Sequence, residues 1–130
     1  MMAACDWSTF ETGLPADLVK GALAVSGIYD LAPLRRTSMN AELRLDENAA
    51  RVASPVTYLP SRPVPVVTAV GAEESAEFRR QAQLLAKHWP HCARACIVVP
   101  GANHFTIVER LAERRGALFE AVLDLCAPEA

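Results

Sequence analysis

The chain has 130 residues, 52% of them hydrophobic, and its 13 basic and 15 acidic side chains give a formal net charge of −2. This length fits one domain with an ordinary buried core. Opposite charges interleave along the chain, which excludes a broad basic surface for nucleic acid or anionic lipid. No apolar run has the length of a membrane span, and residues 1–5 do not resemble a signal peptide. We therefore expect a cytoplasmic protein without nucleic-acid or membrane partners.

The amino-terminal part of the sequence predicts a helix end followed by a strand. Residues 1–7 are apolar and alanine-rich without a capping residue before them, which indicates the tail of a helix whose beginning is absent. Residues 13–15, Gly-Leu-Pro, end that segment. Residues 20–25 read Lys-Gly-Ala-Leu-Ala-Val and predict a short buried strand, which Ser26 and a glycine end.

A long excursion separates this strand from the next one. Residues 32–63 predict short helical pieces, the clearest at 46–53, where Asp46 can cap the free amides of the first turn. Prolines late in the excursion hold the chain extended, because the residue before a proline avoids the helical region. Residues 65–70 then predict a second strand, apolar apart from Thr68, as is typical of a central parallel strand.

The remaining sequence alternates helices with one strand. We predict an amphipathic helix at 75–89, a third strand at 93–99 and closing helices at 105–111 and 117–126. This alternation indicates an α/β fold with three parallel strands flanked by helices and joined by right-handed crossovers, in a single unit over 1–130.

Polar residues follow the predicted strands at the edge of the sheet where such folds bind ligands. They are Asp30, Glu74 and His104. An acid and then, further along the chain, a histidine, each after the carboxyl end of a strand, is the order in which α/β-hydrolases present two members of a catalytic triad. A histidine there suits general acid–base catalysis, and the alternative is a turn histidine with a local hydrogen bond.

We predict that Glu74 orients His104 and that Glu77 complements the helix dipole. Glu73 is the rival for the orienting role, and all of these glutamates could instead serve the helix end alone. The third triad member, a nucleophile, has no candidate in this sequence. Ser26 follows a strand and precedes a glycine, but Ala24 stands where a nucleophile elbow has its first glycine.

A metal site is the weaker interpretation of another cluster. His88, His91, Cys92 and Cys96 lie close together in the sequence, but their spacing matches no familiar set of zinc ligands. The scattered cysteines are typical of a reducing compartment. We therefore do not expect a metal site in this cluster.

Three segments carry a resemblance to a known family. They read VSGIYDL at 25–31, VGAEESAEFRRQ at 70–81 and GANHF at 101–105. These segments resemble the carboxyl-terminal half of kynurenine formamidase (arylformamidase) and its esterase relatives, which have the α/β-hydrolase fold. By this resemblance Glu74 matches the catalytic acid, usually aspartate in the family, and His104 matches the catalytic base.

The resemblance also implies what lies outside this sequence. In the family, the nucleophilic serine precedes a helix whose latter part resembles residues 1–7. The chain would then be the carboxyl-terminal part of one α/β-hydrolase domain, without the amino-terminal strands, nucleophile elbow and oxyanion loop. The implied reaction is hydrolysis of an aryl formamide or ester, such as N-formylkynurenine to kynurenine and formate, with neither a metal nor an organic cofactor.

Two hypotheses about this chain follow from the missing nucleophile. In the first, it contributes Glu74 and His104 to a site that an amino-terminal segment or another polypeptide completes. In the second, it is a truncated, catalytically inactive fragment or a non-enzymatic interaction module. An unpaired edge at residues 20–25 would favour self-association, so a homo-oligomer is a further expectation.

Overall fold

The computed structural model describes residues 2–127. Its three strands form one sheet in the order β1-β2-β3, with β1 at Ala22–Val25, β2 at Val66–Gly71 and β3 at Ala93–Val99. Both pairings are parallel. The prediction of an α/β fold with three parallel strands is confirmed, with β3 at its predicted bounds and the other two displaced by one or two residues at their ends.

The two long helices cover opposite faces of the sheet. Helix α4, Ala76–His88, packs on β2 and β3, and helix α5, Ala117–Cys126, packs on β1 and β3. The shorter α-helices are α1 at Trp7–Phe10, α2 at Asn40–Leu43 and α3 at Glu47–Ala53. Short 3-10 helices lie at Met2–Ala4, Ala32–Arg36, Pro55–Thr57 and Ile107–Ala112.

Each face of the sheet has its own apolar core. On the α4 side, Val66, Leu85 and Trp89 are buried together, and on the α5 side Ala69 packs with Leu118. Burying one such large apolar side chain stabilises the fold by roughly 1.5–3 kcal/mol. Strand β2 is buried along its whole length, which explains why its sequence shows almost no polar alternation.

The structure corrects the prediction at the amino-terminal end. Within the predicted helix tail at 1–7, Met2–Ala4 form a 3-10 helix, but this helix does not continue, because Asp6 starts a new α-helix. Its carboxylate accepts a hydrogen bond from the Ser8 amide at 3.1 Å and caps α1. Met1 lies outside the described residues.

The first closing helix also differs from the prediction. The segment predicted at 105–111 is a 3-10 helix that begins only at Ile107. The cause is local, since the Asn103 side-chain oxygen accepts hydrogen bonds from the amides of Phe105 and Thr106 and holds them in a turn. The second closing helix has its predicted bounds.

The excursion between β1 and β2 consists of short helical pieces, as predicted. Asp46 caps α3 by accepting a hydrogen bond from the Ala49 amide at 2.7 Å, which confirms the predicted cap. Within residues 2–127, none of the helices combines the length and apolar character that crossing a membrane requires.

Candidate active site

The site lies at the carboxyl edge of the sheet, where Glu74 follows β2. The Glu74 side chain has no exposed surface, yet it carries a carboxylate. Its Oε1 accepts hydrogen bonds from the Gly71 amide at 2.8 Å and from the Ser26 hydroxyl at 2.5 Å. Its Oε2 lies 2.9 Å from Nδ1 of His104. The carboxylate thus has a partner on each oxygen, which a buried charged group requires.

These partners decide the charge of Glu74. Burial by itself would raise the pKa of this carboxyl group. The hydrogen bonds from Ser26, Gly71 and His104 together outweigh burial, and the pKa of Glu74 is lowered from its ordinary value. Glu74 is therefore ionised at neutral pH and acts only as an acceptor. Nδ1 of His104 must then carry the proton of this hydrogen bond, and in the tautomer with one ring proton Nε2 is the nitrogen that can accept another.

Close packing of two backbone segments brings His104 to Glu74. A side chain at Gly71 would place its Cβ only 2.2 Å from the carbonyl oxygen of Ala102, so the end of β2 and the loop after β3 touch at this glycine. The Glu73 amide donates to the same carbonyl at 3.0 Å and fixes the approach. Gly101 turns the chain with a φ of 64°, a left-handed conformation that suits glycine.

Aromatic rings flank the imidazole. The ring centroid of Phe78 lies 4.7 Å from that of His104, and the centroid of Phe105 lies 5.7 Å away in an edge-to-face arrangement. About half of the His104 side chain is exposed (49%), and Phe105 is 81% exposed. No group within residues 2–127 forms a hydrogen bond with Nε2 of His104, so the basic nitrogen is open to an incoming group.

The rival acid lies elsewhere. Glu73 is exposed, whereas its neighbour Glu74 is buried against His104. Glu77 does more than complement the helix dipole, since it pairs with Arg80 at 2.7 Å and accepts a hydrogen bond from Gln81. The sequence alone left open whether Glu73 or Glu74 contacts His104. In the structure, Glu74 makes this contact.

Asp30 occupies the predicted edge but does not join the Glu74–His104 pair. Its carboxylate lies 3.7 Å from the Arg80 guanidinium. The buried Gln81 side chain accepts hydrogen bonds from the amides of Tyr29 and Asp30 and donates to the Asp30 carbonyl. Gln81 thereby fixes the loop after β1. Sequence reasoning missed it because nothing in a helical glutamine shows that it is buried.

Ser26 is the second residue whose position the sequence did not reveal. It follows β1 with a φ of 46°, a strained conformation for a residue other than glycine. Its hydroxyl binds Glu74 and not Nε2 of His104, so the acid lies between this serine and the base. Ser26 is therefore not placed as a nucleophile here. The only signal for it was a polar residue directly after a buried strand at the ligand-binding edge.

The cluster considered for zinc does not form a set of ligands. Within residues 2–127, no group of three or more histidine, cysteine, aspartate or glutamate side chains is arranged to hold a metal ion. His88 is exposed and its Nδ1 contacts the Leu84 carbonyl, Cys92 is buried, and Cys96 is exposed on β3. His88 thus lies at the end of a helix, Cys92 in the core and Cys96 on a strand.

Two curated proteins are similar in sequence to this chain. The chain is 33% identical over 121 residues to a kynurenine formamidase from Salmo salar, a match that covers 87% of this chain and 40% of the relative. It is 30% identical over 132 residues to a kynurenine formamidase from Danio rerio, covering 96% of this chain and 44% of the relative. No protein-family model matches the chain.

A solved structure shows the same fold. A crystal structure of a candidate thioesterase from a Silicibacter species superposes with a TM-score of 0.73 at 30% sequence identity, over 80% of this chain and 38% of that one. The chain is thus similar in sequence to two kynurenine formamidases and has a hydrolase-like α/β fold. It spans about two fifths of the length of the curated relatives that it matches.

Proposed function

We propose that this chain supplies the acid and the base of a serine-hydrolase-type formamidase, as the carboxyl-terminal part of an α/β-hydrolase domain. Glu74 is the acid, His104 is the base, and the substrate is an aryl formamide such as N-formylkynurenine, which is hydrolysed to kynurenine and formate. The observation that carries the proposal is the buried, ionised carboxylate 2.9 Å from Nδ1 of a half-exposed histidine. The similarity to two kynurenine formamidases supplies the substrate class.

The chemistry follows from the two ring nitrogens of His104. Glu74 holds the proton on Nδ1, so Nε2 accepts the proton of a nucleophilic hydroxyl as its oxygen attacks the formyl carbon. The Glu74 carboxylate stabilises the imidazolium that results. Nε2 then returns the proton to the amine as the carbon–nitrogen bond breaks. Water attacks the formyl ester by the same route, formate leaves, and the nucleophile regains its proton.

The nucleophile in this proposal comes from polypeptide outside the 130 residues. Ser26 faces the acid, and the sequence contains no Gly-x-Ser-x-Gly elbow. Within the described residues, one edge of β1 pairs with β2, and its other edge has no partner strand. We assign its other edge to the segment that carries the serine, since a parallel strand added there would end at the same edge of the sheet as Glu74 and His104.

The test is complementation of the chain by the missing part of a relative. The portion of the Salmo salar protein outside its match to this chain is expressed separately and mixed with the 130-residue chain, and formate release from N-formylkynurenine is measured. We expect little turnover by either part and saturable turnover by the mixture, lost with His104→Ala. The same portion mixed with its own natural counterpart is the positive control.

Two outcomes would contradict the proposal. Saturable turnover by the isolated chain would show that it holds its own nucleophile. A mixture that associates without turnover, while the positive control is active, would instead favour a non-catalytic interaction module.

A further inference from the structure

We propose that Ser26 is a positioning residue for the acid–base pair: its hydroxyl holds the Glu74 carboxylate in the orientation that presents Oε2 to His104. The inference rests on the proposed function for its effect on turnover. Its structural part, the control of Glu74 by Ser26, is testable in the chain by itself.

The hydrogen-bond donors to Glu74 are divided between its two carboxylate oxygens. Oε1 of Glu74 receives the Ser26 hydroxyl at 2.5 Å and the Gly71 amide at 2.8 Å, and Oε2 receives His104 Nδ1 at 2.9 Å. A carboxylate can rotate about its last bond, and one amide alone fixes a single direction at Oε1. The hydroxyl adds a second donor from the neighbouring strand end, so the plane of the carboxylate is defined and Oε2 is left for the histidine.

The burial of Glu74 makes its hydrogen bond from Ser26 more important. The Glu74 side chain has no exposed surface, so water does not replace a donor that is lost. Hydrogen bonds to a charged acceptor are the stronger ones, and leaving a buried charged oxygen with fewer donors is costly. A hydroxyl at position 26 therefore matters more here than at a site open to solvent.

The backbone of Ser26 has a strained conformation that the structure holds in place. Its φ of 46° is left-handed, which costs a residue other than glycine on the order of 1 kcal/mol or more. The conformation is held by the hydrogen bond of the Ser26 amide to the Ala69 carbonyl at 2.7 Å. Packing of the next residue holds it too, since a Cβ at Gly27 would come within 2.4 Å of the Tyr29 hydroxyl. Glycine would adopt this φ without strain, so what serine adds over glycine is its hydroxyl.

The experiment compares Ser26→Ala with Ser26→Gly. Both variants remove the hydroxyl, but only glycine suits the left-handed backbone, so the pair separates the hydrogen bond from the conformation. Ser38→Ala is the matched control, since Ser38 is exposed. Nuclear magnetic resonance follows the titration of the isotope-labelled Glu74 carboxyl group and the His104 ring in the 130-residue chain.

We expect both Ser26 variants to raise the pKa of Glu74 and to shift the His104 ring resonances, with Ser38→Ala unchanged. In the complemented enzyme both should lower kcat about tenfold with little change in KM, as expected for one lost hydrogen bond to a charged group. If Ser26→Ala does not fold, Ser26→Gly still gives the result.

An unchanged Glu74 titration in Ser26→Gly would overturn the inference. So would a Glu74 shift in Ser26→Ala alone, because that would assign the effect to the backbone. If the complemented enzyme shows no turnover that depends on His104, the proposed function fails, while the titration still decides the role of Ser26.

Discussion

At the scale of single residues, the molecule places one ionised carboxylate where no water reaches it and one imidazole half in solvent. The side chain of Glu74 has no exposed surface and that of His104 is 49% exposed, so only His104 is accessible from solvent. In the proposed mechanism, the buried group keeps its charge and orients the ring, and the exposed ring exchanges protons with a substrate.

Replacing the base tests this division of roles. In the complemented enzyme we expect His104→Ala to lower kcat by about 10²–10⁴-fold, the usual contribution of a general acid–base group. His88→Ala is the matched control, since His88 is an exposed histidine at the end of α4. Steady-state formate release measures both variants, and equal losses would remove His104 from the mechanism.

The lowered pKa of Glu74 predicts a pH dependence of stability. The unfolded chain binds the Glu74 proton at a higher pH than the folded chain does, so the stabilisation is full above the ordinary glutamate pKa. It is lost as the pH falls through the lowered, folded value. Urea unfolding across this acidic range should show a smaller pH dependence for Glu74→Gln than for the unchanged chain.

Glu73→Gln is the control for that measurement, because Glu73 is the exposed neighbour of Glu74. Its unfolding free energy should follow the same pH dependence as the unchanged chain. If the unfolding free energy of Glu74→Gln had the same pH dependence as that of Glu73→Gln and the unchanged chain, the ionised Glu74 carboxylate would not contribute to stability.

At the scale of elements, the site depends on how closely the end of β2 approaches the loop after β3. Each of these elements provides one residue of the pair, and Gly71 is the point of contact, with its amide also donating to Glu74. The position of His104 is therefore a property of two elements together, and no local propensity of either one sets it.

Gly71→Ala should separate these elements. The added Cβ would meet the Ala102 carbonyl at 2.2 Å, and overpacking of this kind costs about 1–3 kcal/mol. We expect lower stability in urea unfolding and a loss of the His104 resonance shifts that depend on Glu74. At Gly101, nothing lies within 4 Å of an added Cβ, but the φ of 64° strains any residue other than glycine. Gly101→Ala should therefore lower stability while leaving the contact between Glu74 and His104 in place. Equal losses of the His104 resonance shifts in the two variants would refute this account.

At the scale of the whole molecule, a three-stranded sheet leaves the outer edges of β1 and β3 without a partner among the described residues. Helix α4 packs on β2 and β3, and helix α5 packs on β1 and β3. The β1 edge is the one that we assign to the segment carrying the nucleophile. Unpaired edges of this kind bind further strands, from another copy or from a different chain.

Self-association of the isolated chain follows from this edge. Light scattering should show dimers or larger species at concentrations used for spectroscopy, and the complementing portion of a relative should convert them into a one-to-one complex. A monodisperse monomer that does not bind the complementing portion would contradict the proposed role of β1.

The sequence by itself determined the class of fold and the chemistry-bearing residue types. An apolar run with almost no polar alternation predicted β2, and amphipathic periodicity predicted α4, because these patterns are local and strong. The contiguous segments around Glu74 and His104 also carried the resemblance to formamidases. The prediction for the start of the chain was only partly right, because one capping aspartate, Asp6, starts a new helix within the apolar segment.

Only the tertiary structure decided which side chains meet. The order of an acid and a histidine after two strands predicted that Glu74 meets His104, but no spacing rule fixes a contact between residues 30 apart in the chain. Nothing in the sequence indicated the contact of Ser26 with Glu74, 48 residues away. Whether Glu73 or Glu74 contacts the histidine depends on the turn after β2, where one of two adjacent carboxylates is buried and the other is exposed. Burial and hydrogen bonding between distant segments set that choice, and these are properties of the assembled sheet edge.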